Sequence, residues 1–270
     1  MTGTIDVAIV GGGAAGIAAA SRLAAKGRSV LLIEALSRLG GRAHTRLIQD
    51  MPLDMGCGWL HSAERNPLAA LAETKGHAID HSVAAWGRQL GNINFSPNEQ
   101  HEAWAAYEAF GETLRNAPPA SDRAADALAP NDRWRPFIDG LSSFINGAAL
   151  SQLSVADFLA YDDAASENNW RLPSGYGAFI ASFGDALPRS LDTNVHSIVQ
   201  GKDIVLTTSR GEIRARNAII AISTTALAKG GIRFAPDLAD HLHAAHCLPL
   251  GLANKVFLSL ATPEAAPAES

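Results

Sequence analysis

Gly11, Gly13 and Gly16 stand at the spacing of a GxGxxG turn, and Glu34 closes the apolar run that comes next. Those residue types suit a dinucleotide. Gly11 permits a tight turn, Gly13 lets a pyrophosphate approach the backbone, and Gly16 lets a helix pack closely on its strand. A helix beginning at Ala14 and Ala15 offers free N–H groups and the positive end of its dipole to phosphates. The Glu34 carboxylate suits ribose hydroxyls as a hydrogen-bond acceptor. The elements that must position these residues are legible on either side. Ile5, Val7, Ile9 and Val10 form an apolar strand before the turn. Residues 14–25 have helical composition, and Ser29 to Ile33 make a second apolar strand ending at Glu34. A glycine-rich helix start in any α/β protein is the plainer alternative. The order strand, turn, helix, strand, acid favours a dinucleotide.

Composition excludes several other classes. With 270 residues, 47% hydrophobic and 18% charged, and a net charge of −5, the chain can bury a substantial core in one or two domains. No basic excess points to nucleic acid, and no apolar run reaches the length of a membrane span. The first strand begins within five residues of Met1, so the expectation is a chain without a signal peptide. Cys57 and Cys247 give neither a disulfide framework nor a metal-ligand spacing, which fits a reducing cytoplasm.

The stretch Leu39-Gly40-Gly41-Arg42 after Glu34 brings a guanidinium, whose planar donors suit phosphate. Here the sequence resembles the flavin-dependent amine oxidase family, the monoamine and polyamine oxidases and their bacterial relatives. The resemblance implies FAD as cofactor, with Arg42 on its pyrophosphate. It extends to Asp54-Met55-Gly56-Cys57-Gly58-Trp59-Leu60-His61, similar to a "D-x-G-x-x-W-x-H" stretch that passes the flavin ring in the family. Trp59 suits either that surface or an ordinary core, and His61 matches a histidine of the substrate cavity in polyamine oxidases. The cofactor-binding set so implied is Gly11, Gly13, Ala14, Ala15, Gly16, Glu34, Ala35, Gly41, Arg42, Gly56, Gly58, Trp59 and Val195, the last through its backbone on adenine.

Further on, Asn66-Pro67 starts a helix that ends near Lys75-Gly76, and residues 77–96 read as loops and short strands. His77 and His81 have no third ligand nearby, so no metal site is read there. Trp104, Tyr107, Phe110 and Leu114 form a helical stripe within residues 99–116. Ser121-Asp122 caps an alanine-rich segment, and helices follow over 134–145 and from Ser154 to Tyr161. These aromatic stripes read as core. A Gly-rich turn at Gly175 and Gly177 precedes a helix over 178–187. Strands are expected at 194–199, 204–208 and 212–216, the last two joined by a hairpin turn at Ser209-Arg210-Gly211. Residues 218–222 read as a separate buried central strand.

Residues 248–258 resemble the "PLG-x-x-N-K-V" strand of amine oxidases, whose lysine reaches the flavin N5 through a water. That resemblance implies Lys255 and His61 as catalytic residues, with hydride transfer from an amine to flavin N5 and O2 as the electron acceptor. Family members continue beyond this point, whereas this chain closes in an Ala/Pro/Glu tail at 261–270. The expectation is a member lacking the C-terminal part, with a partner chain to supply it. The fold class is α/β: a doubly wound, Rossmann-like FAD-binding domain over 1–71 and 188–222, and an α+β substrate domain over 72–187 and 223–270. Two alternatives stay open, a non-catalytic flavin-binding remnant and a flavin desaturase-like oxidoreductase.

Overall fold

A computed structural model describes residues 3–84 and 95–262. The chain divides into two compact units, Met1–Leu60 with Pro67–Asp80 and Arg171–Pro249, and His61–Asn66 with His81–Trp170 and Leu250–Ser270. Residues 72–80, 171–187 and 223–249, assigned from sequence to the substrate domain, thus belong to the unit that carries the glycine turn, and residues 61–66, assigned to the FAD-binding domain, belong to the other. Trp86 and the last eight tail residues, 263–270, lie outside the described residues.

In the first unit, β1 (Ile5–Val10), α1 (Ala14–Ala24) and β2 (Val30–Ile33) follow one another as the sequence implies. Next come β3 (Thr45–Ile48), β4 (Met51–Asp54), α2 (Pro67–Thr74) and α3 (Tyr176–Ser182). Strands β5 (Arg189–Ser190), β6 (Val195–Gln200), β7 (Ile204–Thr208) and β8 (Gly211–Ile220) complete most of the sheet. Helix α4 (Thr224–Ala228), strand β9 (Arg233–Ala235) and helix α5 (Ala239–His246) end the unit. Seven strands form one sheet in the order β9-β6-β7-β8-β1-β2-β5. Strands β8, β1, β2 and β5 run parallel, while β6, β7 and β8 form an antiparallel meander.

Why the strand before the glycines is straight and buried follows from its pleat. Ala8 and Val10 point into a core shared with Leu31, Ile33, Val195, Ile198, Leu206 and Ala215. The alternate residues Val7, Ile9 and Leu32 are buried too, and α1 turns Gly16, Ile17 and Ala20 inward. A strand buried on both faces reads as a continuous apolar run, which is how β1 and β2 appear in sequence. The register sets Val10 beside both Ile33 and Ile220, so three parallel strands end at one level. Ligands of open α/β sheets bind outside those carboxyl ends.

Several elements differ from the sequence expectation. Residues 212–216 and 218–222 do not form two strands; they merge into the single strand β8, because its first half pairs with β7 and its second with β1. The helix expected over 178–187 is regular only to Ser182 and then breaks into turns. Strand β4 was not anticipated. Gln49 and Asp50, both at positive φ, fold it back on β3. The largest departure is in the second unit, where residues 250–260 form no strand. Among the described residues their apolar side chains find no facing strand: Leu252 is 91%, Val256 79% and Leu258 78% exposed.

Among the described residues the second unit holds the helices Pro97–Asn116, Arg135–Ile145 and Val155–Ala164. Ser96 and Glu99 form a reciprocal capping box at the start of the first of these. The alanine-rich segment after Ser121 is a single 3-10 turn, Ala124–Ala127. Phe110, Leu114, Ile138, Leu150, Leu153 and Phe158 pack together, so the aromatic stripe is core, as read from sequence. Trp104 is the exception at 41% exposure, covering only the edge against Phe137.

Because Leu114 is fully buried, Leu114→Ala should lower unfolding stability of the helical unit by about 2–5 kcal/mol, the cost of lost transfer plus a cavity. Trp104→Ala should cost clearly less. Urea denaturation followed by far-UV circular dichroism checks the ranking, and equal losses would contradict it.

Candidate functional site

The glycine turn leaves β1 with Gly11 at φ 107°, its N–H donating to the Ile33 carbonyl at 2.8 Å. A Cβ at Gly11 would sit 2.4 Å from the Ala221 carbonyl oxygen, so the turn is wedged against the chain leaving β8. At Gly16 a Cβ would lie 1.9 Å from the Gly11 oxygen, which is the close helix-to-strand approach the sequence implied. Gly13 differs in kind. It is the extended residue before α1, and a Cβ there would meet nothing nearer than Gly41 Cα at 3.9 Å. A Cβ there would stand in ordinary contact with Gly41, so no clash demands glycine at this point. No side chain caps α1, and Ala14 and Ala15 are exposed. Uncapped N–H groups at a helix start form an anion site.

Glu34 is buried, at 9% exposure. Its Oε2 accepts from Gly12 N–H at 2.6 Å, and its Oε1 accepts from Leu36 N–H at 2.8 Å. The carboxylate therefore already holds the glycine turn to the end of β2. Each carboxylate oxygen accepts two hydrogen bonds, so capacity for a ribose hydroxyl remains. Sequence reasoning passed over Gly12, whose Cβ would lie 3.1 Å from Glu34 Oε2 and 2.6 Å from a Leu39 methyl carbon. The run of three glycines was the available signal.

The second glycine turn lies on the first. Gly40 N–H donates to Gly12 O at 2.8 Å, and Gly13 and Gly40 form a parallel bridge. A Cβ on Gly41 would come within 3.1 Å of Gly13 Cα. Arg38 locks this turn through its guanidinium, which donates to the carbonyls of Gly41 at 2.9 Å and Leu39 at 3.3 Å. Ala35 and Arg42 are exposed. Burial, with Arg38 and Arg46 adding to it, pushes the His44 imidazole below its usual value. Arg38 and Arg42 thus bring two guanidinium groups to the turn that stacks beside the uncapped helix start, and positive charge at such a point attracts phosphate.

Gly56 backs directly onto this turn: a Cβ there would sit 1.8 Å from the Arg42 oxygen, which also accepts from Cys57 N–H at 3.2 Å. Gly58 is buried against the Asp54 side chain. Trp59 is half-buried, and the Arg171 guanidinium lies over its ring at 5.2 Å while pairing with Asp80 at 2.6 Å. Val195 is buried at the start of β6, beside an irregularity in which Val195 faces Thr208 and Ser197 faces Thr207. His196 is the extra residue of that bulge, and bulges free backbone groups from the ladder.

The two residues expected to be catalytic belong to the second unit. His61 is exposed, its Nδ1 2.7 Å from Asn169 Oδ1. Lys255 sits in the exposed stretch without a strand, not on the strand expected for it.

The sequence profile of a family described as flavin containing amine oxidoreductase matches residues 14–266. Among curated relatives, Polyamine oxidase 5 of Oryza sativa subsp. japonica is 28% identical over 94% of this chain. Polyamine oxidase 2 of Arabidopsis thaliana is 25% identical over 94% of it. The chain spans 58% of the length of each. Among solved structures, putrescine oxidase bound to putrescine aligns with a TM-score of 0.67 at 19% identity, over 92% of this chain and 64% of that one. Cyclohexylamine oxidase from Brevibacterium oxydans IH-35A gives 0.65 at 22% identity, over 90% and 63%. At such identities the structures show a shared fold.

The depressed His44 imidazole has a consequence for stability. The folded chain binds fewer protons there than the unfolded one, so the contribution is full above about pH 6.5 and is lost as pH falls through the folded value. The melting temperature of the ligand-free chain should therefore fall more steeply from pH 7 to 5.5 than that of His44→Gln. Parallel pH profiles for the two would remove His44 from the account.

Proposed function

The chain belongs to the flavin containing amine oxidoreductase family, and from that premise we propose that its first unit binds FAD and serves the oxidation of an amine. The observation that carries the reading is the uncapped start of α1, held by two stacked glycine turns beside the buried Glu34 carboxylate. The free N–H groups of that helix start suit a diphosphate, and the remaining acceptor capacity of the acid suits ribose hydroxyls. These residues suit the group.

In this reading Glu34 accepts from ribose hydroxyls while holding Gly12. The amides of Ala14 and Ala15 and the Arg42 guanidinium bind pyrophosphate, with Ala35 and Gly41 lining the same turn. The backbone at Val195 meets the adenine edge, and the glycines at 56 and 58 with Trp59 face the ring system. FAD, when bound, supplies acceptance of a hydride from the carbon beside an amine nitrogen, with O2 as the eventual electron acceptor. The roles of Lys255, in holding a water, and of His61, in meeting substrate, enter as parts of the same proposal by family resemblance. A small amine is the proposed substrate class.

A second reading, FAD binding without amine oxidation by this chain alone, is favoured by the exposed apolar side chains of Leu252, Val256 and Leu258. Such a surface invites association, and a partner chain that covers it is part of this reading.

Titration of the purified chain with FAD tests the cofactor. Glu34→Ala should weaken binding by about 1–3 kcal/mol, because it removes a buried acceptor from both turn and ribose. Arg42→Lys should weaken it too, since a point charge cannot reproduce planar donors. No FAD binding by the wild-type chain, or unchanged affinity in Glu34→Ala, would overturn the cofactor assignment.

Amine-dependent peroxide then separates the two readings. Release by a monodisperse preparation of the chain alone supports the first, with Lys255→Ala expected to slow it without loss of FAD. FAD binding with no peroxide supports the second.

A further inference from the structure

Among the described residues, one carboxylate beside the glycine turns has no part in the scheme above. Asp54 ends β4, just before the Gly56–Gly58 segment. Its Oδ1 accepts from the Thr45 hydroxyl at 2.5 Å and from Gly177 N–H at 2.9 Å. Its Oδ2 accepts from Tyr176 N–H at 2.9 Å. Thr45 in turn accepts from Ala178 N–H at 2.8 Å. The first three N–H groups of α3 are thereby satisfied by side chains from the β3–β4 hairpin, none by a residue of its own approach.

The contacts continue into the glycine turns. Gly177 lies so close to the hairpin that a Cβ would stand 2.3 Å from Thr45 N and 2.5 Å from His44 N. A Cβ on Gly175 would strike the Thr45 side chain at 2.4 Å. On the other side, a Cβ on Gly58 would come within 2.9 Å of Asp54 Cβ. Met55 N–H donates to His44 O at 2.7 Å, and Cys57 N–H donates to Arg42 O at 3.2 Å. Residues 42–45, 54–58 and 175–178 thus meet with backbone against backbone, and the half-buried Asp54 carboxylate joins all three. Segment 42–45 carries Arg42 and runs back through Gly40 to Gly12.

We infer that Asp54 is a positioning residue of the cofactor cradle, fixing the Arg42 turn and the Gly56–Gly58 backbone through Thr45 and the start of α3. The inference rests on the FAD reading above. A carboxylate is required because both oxygens receive N–H or O–H donors; an amide presents one acceptor and turns two donors of its own toward them. Since charge-assisted bonds are about twice as strong as neutral ones, losing this node loosens both segments while the sheet stays paired.

The test uses the full chain with FAD as the probe. Asp54→Asn should fold, by far-UV circular dichroism, yet bind FAD about tenfold to a hundredfold more weakly, the range expected for one or two charge-assisted bonds. The visible circular dichroism of bound flavin should change as well, since that signal reads the asymmetry around the ring and not overall stability. A second pair covers the case in which Asp54→Asn does not fold. Thr45→Val removes the bridging hydroxyl at constant shape, whereas Thr45→Ser retains it. Thr45→Val should show weaker FAD binding and an altered flavin signal, and Thr45→Ser should resemble wild type. Wild-type binding by Asp54→Asn, or equal affinity and spectra in Thr45→Val and Thr45→Ser, overturns the positioning role and leaves the FAD reading standing. Absence of FAD binding in the wild-type chain overturns both.

Discussion

A single hydrogen bond, from Gly12 N–H to the Glu34 carboxylate at 2.6 Å, ties the turn after β1 to the end of β2. A buried carboxylate is costly to desolvate unless donors meet it, and here the donors are backbone amides that would otherwise be orphaned. The arrangement fixes where the turn lies before any ligand arrives. It also dictates sequence around it. Gly12 leaves no room for a side chain beside Leu39 and Glu34, and Gly40 reaches back to the Gly12 carbonyl. Two glycine turns are thereby stacked, with Gly13 and Gly41 in backbone contact beside the start of α1. Preorganisation of this kind reduces the ordering cost of binding.

Much of this was legible in the residues. The apolar runs of β1 and β2, the helix between them and the acid at the second strand's end all lie where the sequence puts them, because each is set by a local period or a local steric demand. Phe110 and Leu114 are core because helical spacing gave them one face. What escaped prediction depends on pairing at long range. Nothing within residues 211–222 announces that one strand changes partner midway, from β7 to β1. The role of Asp54 was equally hidden, since its partners at 176 and 177 lie far along the chain. Glu34 was assigned to a ligand alone, whereas its first bonds are to its own backbone.

The stretch at 249–260 failed for a different reason. Alternating apolar residues specify a strand only where another strand offers donors and acceptors, and among the described residues this stretch has no such neighbour. Trp59 resisted a choice from sequence because it satisfies both alternatives in part. It is half-buried, and one face of its ring is engaged by Arg171. An aromatic ring with an apolar body and an accessible remainder is suited to the margin of a site.

The two-partner course of β8 bears on how the chain reaches its fold. Its first half forms a hairpin with β7, a pairing of near neighbours that closes quickly. Its second half pairs with β1, bringing Ala215 beside Ile5 from the far side of the helical segments. Closing that loop is entropically expensive and slow compared with the hairpin. During synthesis β1 therefore emerges with β2 on one side and an unsatisfied edge on the other, until β8 has been made. Unpaired apolar strand edges are prone to association, and β1 keeps one until β8 arrives. The segments between, including the separately packed helices with their own core, have time to fold first.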